Sequence, residues 1–263
     1  MLRIVDLGIS PATRAHLAER QAEINAIPDF PTRVRTAKSK WANGKRNRAF
    51  EEVKAQLTKM CRGAKRCAYC EDSAADEIEH IAPKDSYPER TFDWTNYLYA
   101  CGPCNGPKGK QYRIRSTADG SLIDIENLSD PPPPGDPLLI NPREENPLDL
   151  LWLDLETFAF VPNLDEEAAF DYQRAAYTID VALRLNERDH LRKARKLAAK
   201  SYLALLAQYV LAKEAANQKE MDNLRTTIAE SNHPTVWAEL VRQRKLHPRS
   251  QDLFAAAPEA LEF

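Results

Sequence analysis

No stretch of this chain approaches the roughly 18 consecutive apolar residues that a membrane helix requires. Its first residues, "MLRIVDLGISPATRAHLAER", hold no apolar signal core ahead of a small-residue cleavage site. A cytoplasmic protein with no membrane partner is expected. A large net charge is also missing: 37 Lys and Arg against 39 Asp and Glu leave −2, which argues against a protein that coats nucleic acid over its whole surface. No internal repeat stands out. Cysteine is sparse, five among 263 residues, and four of the five fall in two CxxC pairs. In a reducing compartment that pattern argues for metal rather than disulfides. What remains, 43 % hydrophobic and 29 % charged residues, describes an ordinary soluble protein able to bury a sizeable core in one large or two small domains.

The near-zero net charge hides an uneven distribution. "PTRVRTAKSKWANGKRNRAF" carries Arg33, Arg35, Lys38, Lys40, Lys45, Arg46 and Arg48 without an acid, and Lys59, Arg62, Lys65 and Arg66 continue it. Between Asp124 and Glu167 the only basic residue is Arg143. That acidic stretch contains "DPPPPGDP", whose polyproline geometry suits a semi-rigid spacer and places a boundary near Asp130.

Periodicity organises the rest. "ATRAHLAERQAEINAI" and "NRAFEEVKAQLTKM" read as helices in a mostly helical, basic segment 1–60. "PLDLLWLDLETFAFV" fits a short strand or hairpin at the end of a Pro-rich segment 131–164. From 165 to 263 the pattern is helical: "DEEAAFDYQRAAYTIDVALRL", a break at Asn186, then "ERDHLRKARKLAAKSYLALLAQYVLAKEAANQK" as one long helix. A last helix is expected over "PTVWAELVRQRKL", capped by Ser231 or Asn232, with Pro234 in its first turn and Pro248 beyond its end.

The segment 61–130 carries the chemistry. Cys67 and Cys70 form one CxxC knuckle, and Cys101 and Cys104 form the other. Four thiolates so spaced match the tetrahedral set that a structural zinc prefers; such a site is closed, so any reaction must use other residues. Cys61 falls outside the spacing and reads as an ordinary semi-buried thiol. Between the knuckles lie Glu79-His80-Ile81-Ala82-Pro83-Lys84, then Trp94 and Asn96. The second knuckle runs directly into Asn105, with Lys108 and Lys110 close behind. His16, His190, His233 and His247 lack any partner pattern and read as surface or packing residues, and Trp94 as core.

The order CxxC, acid-His-x-x-Pro, Trp-x-Asn, CxxC-Asn-x-x-Lys, from Arg66 to Lys110, resembles the HNH endonuclease family, in the subgroup whose ββα-metal core is clamped by a four-cysteine zinc. The resemblance implies an α+β fold: that core, a helical N-terminal segment and a helical C-terminal region. It implies that Glu79 ligates a catalytic divalent ion, Mg2+ or Mn2+, and that His80 is the general base activating water. It further implies that Asn96 holds the histidine's orientation and that Asn105 is a second ligand to the ion. Glu in place of the commoner Asp, and Pro107 in the following helix, are departures that remove no needed group. Lys84, Lys108 and Lys110 are candidate phosphate contacts, with solvated surface lysines as the plain alternative.

The flanks, "LLINPREENPLDLLWLD" and "RAAYTIDVALRLNERDHLRKAR", resemble the PtuB-type nuclease subunits of Septu-like anti-phage defence systems, which act with an ABC- or AAA-type ATPase partner. The C-terminal half is then either a docking surface for such a partner or a helical cap over the core. DNA is the favoured substrate and RNA a possible one, because the chemistry attacks phosphate. With no helix-turn-helix or zinc finger to read sequence, selectivity would be low, structural or set by a partner. The competing expectation is a zinc-stabilised binding module for nucleic acid or protein, with a vestigial HNH site.

Overall fold

A computed structural model of the chain describes residues 1–44, 47–61, 63, 65–126, 129–167 and 169–263; Lys45, Arg46 and Arg62 of the basic stretch lie outside the described residues. The fold is α+β, with long helices at both ends and small antiparallel sheets between them. No helix among the described residues is long and apolar enough to cross a membrane.

Three helices open the chain: α1 (Pro11–Asn25), α2 (Phe30–Gly44) and α3 (Arg48–Met60). Ser10 caps α1 by accepting from the Thr13 amide, and Asn47 caps α3 by accepting from Phe50. The first part of the basic stretch thus lies on a helix of its own, α2, that buries Phe30, Ala37 and Trp41.

Strand β1 (Glu77–His80) pairs antiparallel with β2 (Tyr97–Ala100), His80 opposite Tyr97 and Glu77 opposite Ala100, and α4 (Gly102–Lys108) follows. All four residues of β2 are buried. Because successive side chains of a strand point to opposite faces, Tyr97 and Tyr99 join a core with Phe50, Val53 and Leu57 of α3. Leu98 and Ala100 join a second core that holds the four paired cysteines and much of the C-terminal region. β2 is therefore the wall between two hydrophobic cores.

Strand β3 (Arg113–Ser116) is central in a three-stranded sheet, between β4 (Leu122–Asp124) and β5 (Gly135–Pro137). The proline run sits directly ahead of β5, which pairs with β3. The "PLDLLWLDLETFAFV" stretch forms the hairpin of β6 (Leu151–Leu153) and β7 (Phe160–Pro162). α5 (Phe170–Ala176) continues into a π-helical turn at Tyr177–Ala182, where the Thr178 hydroxyl accepts from the Ile140 amide at 3.0 Å. The expected break at Asn186 has a tertiary function: its side chain accepts from the Phe160 amide and donates to the Phe160 carbonyl, at 2.8 and 2.7 Å.

The expected long helix is present as α6, and a further helix that the periodicity did not single out follows it. α6 (Asp189–Glu214) stops where Ala216 takes φ 52°, and α7 (Gln218–Glu230) begins with Asn217 as its cap. α8 (Pro234–Arg242) is not capped by Ser231 or Asn232. His233 precedes it at φ 55°, and the Glu71 carboxylate, 164 residues upstream, accepts from the Thr235 amide at 3.0 Å. Pro248 does not merely end that helix but starts α9 (Pro248–Ala256). Arg195 of α6, 2 % exposed, donates to the carbonyls of Phe158 and Leu185 and lies 4.5 Å over the Phe160 ring; burial pushes its guanidinium down to about 10.

Candidate active site and metal centre

The first knuckle is tied to β2 by the Ala68 amide, which donates to the Tyr99 carbonyl at 3.0 Å, and the second follows β2 directly. In the first, the Glu71 amide donates to the Cys67 carbonyl (3.0 Å) and Glu71 takes φ 60°, turning the chain tightly around the thiols. In the second, Cys101 is the N-cap of α4 and its carbonyl accepts from Cys104 and Asn105 (3.0 and 2.9 Å). The four sulfurs lie within 4.8 Å of one another, all on buried residues and none in a disulfide. Cys70 and Cys101 Sγ stand 3.8 Å apart, close to the roughly 3.8 Å that a tetrahedron with Zn–S bonds of about 2.3 Å imposes. Contacts among the thiols push Cys67 and Cys104 up and Cys70 and Cys101 down, so they cannot ionise together unaided. A divalent cation resolves that conflict, and the four cysteines fit a structural zinc.

Two features around the cysteines were not legible from their spacing. Arg188, just ahead of α6, donates through Nη2 to Cys104 Sγ at 3.2 Å and through Nη1 to the Pro103 carbonyl at 3.4 Å. The buried Glu71 pairs with the Met1 amine at 3.1 Å while its other oxygen caps α8. Burial pushes the Glu71 carboxyl up, but that amine, Thr235 and His233 together hold it below the usual range. Cys61 stands apart, half-buried, its thiol pushed up to about 11 by burial.

The residues of the acid-His motif end β1, Glu79 opposite Leu98 and His80 opposite Tyr97, so their side chains leave the strand on opposite faces. His80 is 6 % exposed, its ring 4.2 Å from Trp41 of α2 and 5.3 Å from Tyr97, both edge-on. Nε2 lies 3.0 Å from the Thr91 carbonyl. A carbonyl only accepts, so Nε2 carries a proton. Asn96 does not reach the ring. Its Oδ1 accepts from the Ala82 amide (2.8 Å) and its Nδ2 donates to the carbonyls of Ala82 and Arg90 (both 3.0 Å), bracing the loop after His80.

Glu79 and Lys108 form a buried ion pair, and Lys108 Nζ also donates to the His80 carbonyl at 2.8 Å. Burial pushes the Glu79 carboxyl up, with Lys108 opposing. Lys108 is 0 % exposed, which corrects its expected place among the phosphate-contacting lysines: it is an internal counter-charge. Removing one partner of a buried pair leaves the other charge stranded. Lys108→Met is therefore expected to cost about 3–5 kcal/mol, a fall on the order of 10 °C in melting temperature for a chain of this length. Glu79→Gln in the same chain should restore most of it, and thermal denaturation of the single and double variants measures both.

Asn105 donates to Glu77, a residue that the sequence motif does not single out. Strand alternation is the signal for it, because Glu77 and Glu79 share one face of β1. A cleft of about 540 Å³ opens here, lined by Glu77, Glu79, His80, Lys84, Asn105 and Lys110 among others. Asp85, at its edge, pairs with Lys38 at 3.0 Å, Lys110 at 3.3 Å and Lys84 at 3.8 Å. Burial pushes Lys84 down and would raise Asp85, but the lysines hold Asp85 below its ordinary value. Among the described residues, the four cysteines are the one close set of three or more His, Cys, Asp or Glu suited to a metal ion.

No protein-family model matches the chain. Over 49 residues it is 45 % identical to the Septu protein PtuB of Bacillus thuringiensis, a stretch amounting to 17 % of this chain and 19 % of that protein. The chain thus matches about a fifth of that relative's length, and the similarity is local.

Proposed function

We propose that the chain is a metal-dependent HNH endonuclease that hydrolyses phosphodiester bonds, in DNA by preference, as the effector of an anti-phage defence system. One observation carries this reading: His80, held by Thr91 and two aromatic rings, lies in one cleft with carboxylate, amide and ammonium groups. The local identity to a Septu protein supports the defence assignment, and with it an ATPase partner of the ABC or AAA type.

In this reading His80 Nδ1 takes the proton from the attacking water. Glu79, with Asn105 and Glu77 beside it, supplies oxygen donors only, which suits a hard cation such as Mg2+ or Mn2+. When bound, that ion would neutralise charge on the phosphate and leaving oxygen. Asn96 keeps the loop after His80 fixed, and Lys84 and Lys110 position the phosphate. The four-cysteine zinc holds the ends of β2 and α4 in place.

The alternative, a zinc-stabilised binding module, draws on one observation: Glu79 already has a counter-charge in Lys108. Incubating the zinc-loaded chain with supercoiled plasmid and with total RNA, in Mg2+ or Mn2+ and again in chelator, separates the two. Cutting that needs the added ion is expected. Absence of cutting by the chain, alone and co-purified with its ATPase partner, would leave the binding module.

A further inference from the structure

The lysines at the cleft edge come from three separate parts of the chain: Lys38 from the middle of α2, Lys84 from the turn after β1, and Lys110 from beyond α4. Nothing local in the sequence brings them together, and three ammonium groups in one place repel. They converge on a single carboxylate, Asp85, whose side chain is 13 % exposed while those of Lys38 and Lys110 are 47 % and 61 % exposed. Within this cluster one carboxylate faces three ammonium groups; Lys84, Asp85 and Lys110 line the cleft with His80, and the acids Asp76, Glu77 and Glu79 line it too. Asp85 is itself fixed by its turn, in which the Ser86 and Tyr87 amides both donate to the Pro83 carbonyl, at 3.0 and 2.8 Å.

We infer that Asp85 is a positioning residue that gathers Lys38, Lys84 and Lys110 into a cradle for a backbone phosphate of duplex DNA next to His80. The inference rests on the nuclease reading for its location but makes its own prediction about binding. An acid that only sits among lysines lowers their attraction for DNA, and removing it tightens binding. An acid that organises them does the opposite, because the ammonium groups spread apart once it is gone. The cradle also recruits the basic helix α2 to the site, which the HNH-like segment by itself does not include.

The test is equilibrium binding of a labelled duplex by the zinc-loaded full chain in magnesium-free buffer, across a salt series, read by fluorescence anisotropy. Lys38→Ala and Lys110→Ala, both on exposed side chains, should each weaken Kd by about five- to tenfold near 0.1 M salt. Each should lower the slope of log Kd against log salt by about one. Asp85→Asn should weaken binding despite its added positive charge, and Asp85→Glu should recover most of it. Tighter binding by Asp85→Asn, or unchanged slopes in both lysine variants, would overturn the inference. Binding is read without cleavage, so a chain that shows these shifts yet never cuts would overturn the nuclease reading alone, and one that cuts with unchanged slopes would overturn only the cradle.

Discussion

Stripping the metal from the four-cysteine centre is expected to unfold the protein's core and not merely to disarm it. Structural zinc contributes on the order of 10–16 kcal/mol where it has been isolated in small domains, as much as or more than the roughly 5–15 kcal/mol by which whole domains are stable. Here the cysteines also serve as core residues, packed with Leu98 and Ala100 of β2 and continuous with the buried faces of α6 and α8. Arg188 donates to Cys104 from the C-terminal region, so loss of the centre reaches that half directly. Metal analysis should find about one zinc per chain, and chelation or Cys104→Ala should abolish the cooperative thermal transition. A chain that purifies without zinc and melts unchanged would refute the assignment.

Replacing His80 should do the reverse, removing cleavage while leaving the metal in place. General-base catalysis contributes about 10²- to 10⁴-fold, roughly 3–5 kcal/mol of transition-state stabilisation, so His80→Ala should lower the rate of plasmid cutting by that factor. The ring also packs against Trp41 and Tyr97, and some stability will be lost with it. Zinc content and duplex binding should stay at their original values. If His80→Ala cuts as fast as the unaltered chain at equal zinc content, His80 is not the base and the site does not work as an HNH centre.

What could be read from the sequence was whatever is set by spacing along one segment. The two CxxC pairs are such a pattern, and the structure brings them together. The β6–β7 hairpin and the break at Asn186 were visible as a short strand-like run and an interruption of helical periodicity. Features decided by distant partners were not visible. Lys108 looks like a surface lysine in "GPKGK", and only the pairing of β1 with β2, and the return of α4 against β1, show that it is buried beside Glu79. Glu71 looks like the polar residue after a knuckle, yet it caps α8. The division of α6 from α7 depends on Ala216 in a left-handed conformation, a residue type that gives no warning of it. Trp41 and Lys38 are three residues apart on α2 and carry no motif, although the fold sets one against His80 and the other on Asp85.

The cap that Glu71 places on α8 has a consequence during biosynthesis. The carboxylate and the Thr235 amide it accepts from are 164 residues apart, so at roughly 5–20 residues per second the ribosome takes about ten to thirty seconds to deliver the second after the first. Arg188 reaches Cys104 across 84 residues in the same way. In that interval both knuckles can gather their thiols, while the acid beside them waits for the helix it will cap. All four cysteines are thus synthesised before their C-terminal cover, and until that cover is made the thiols are open to metal capture and to oxidation.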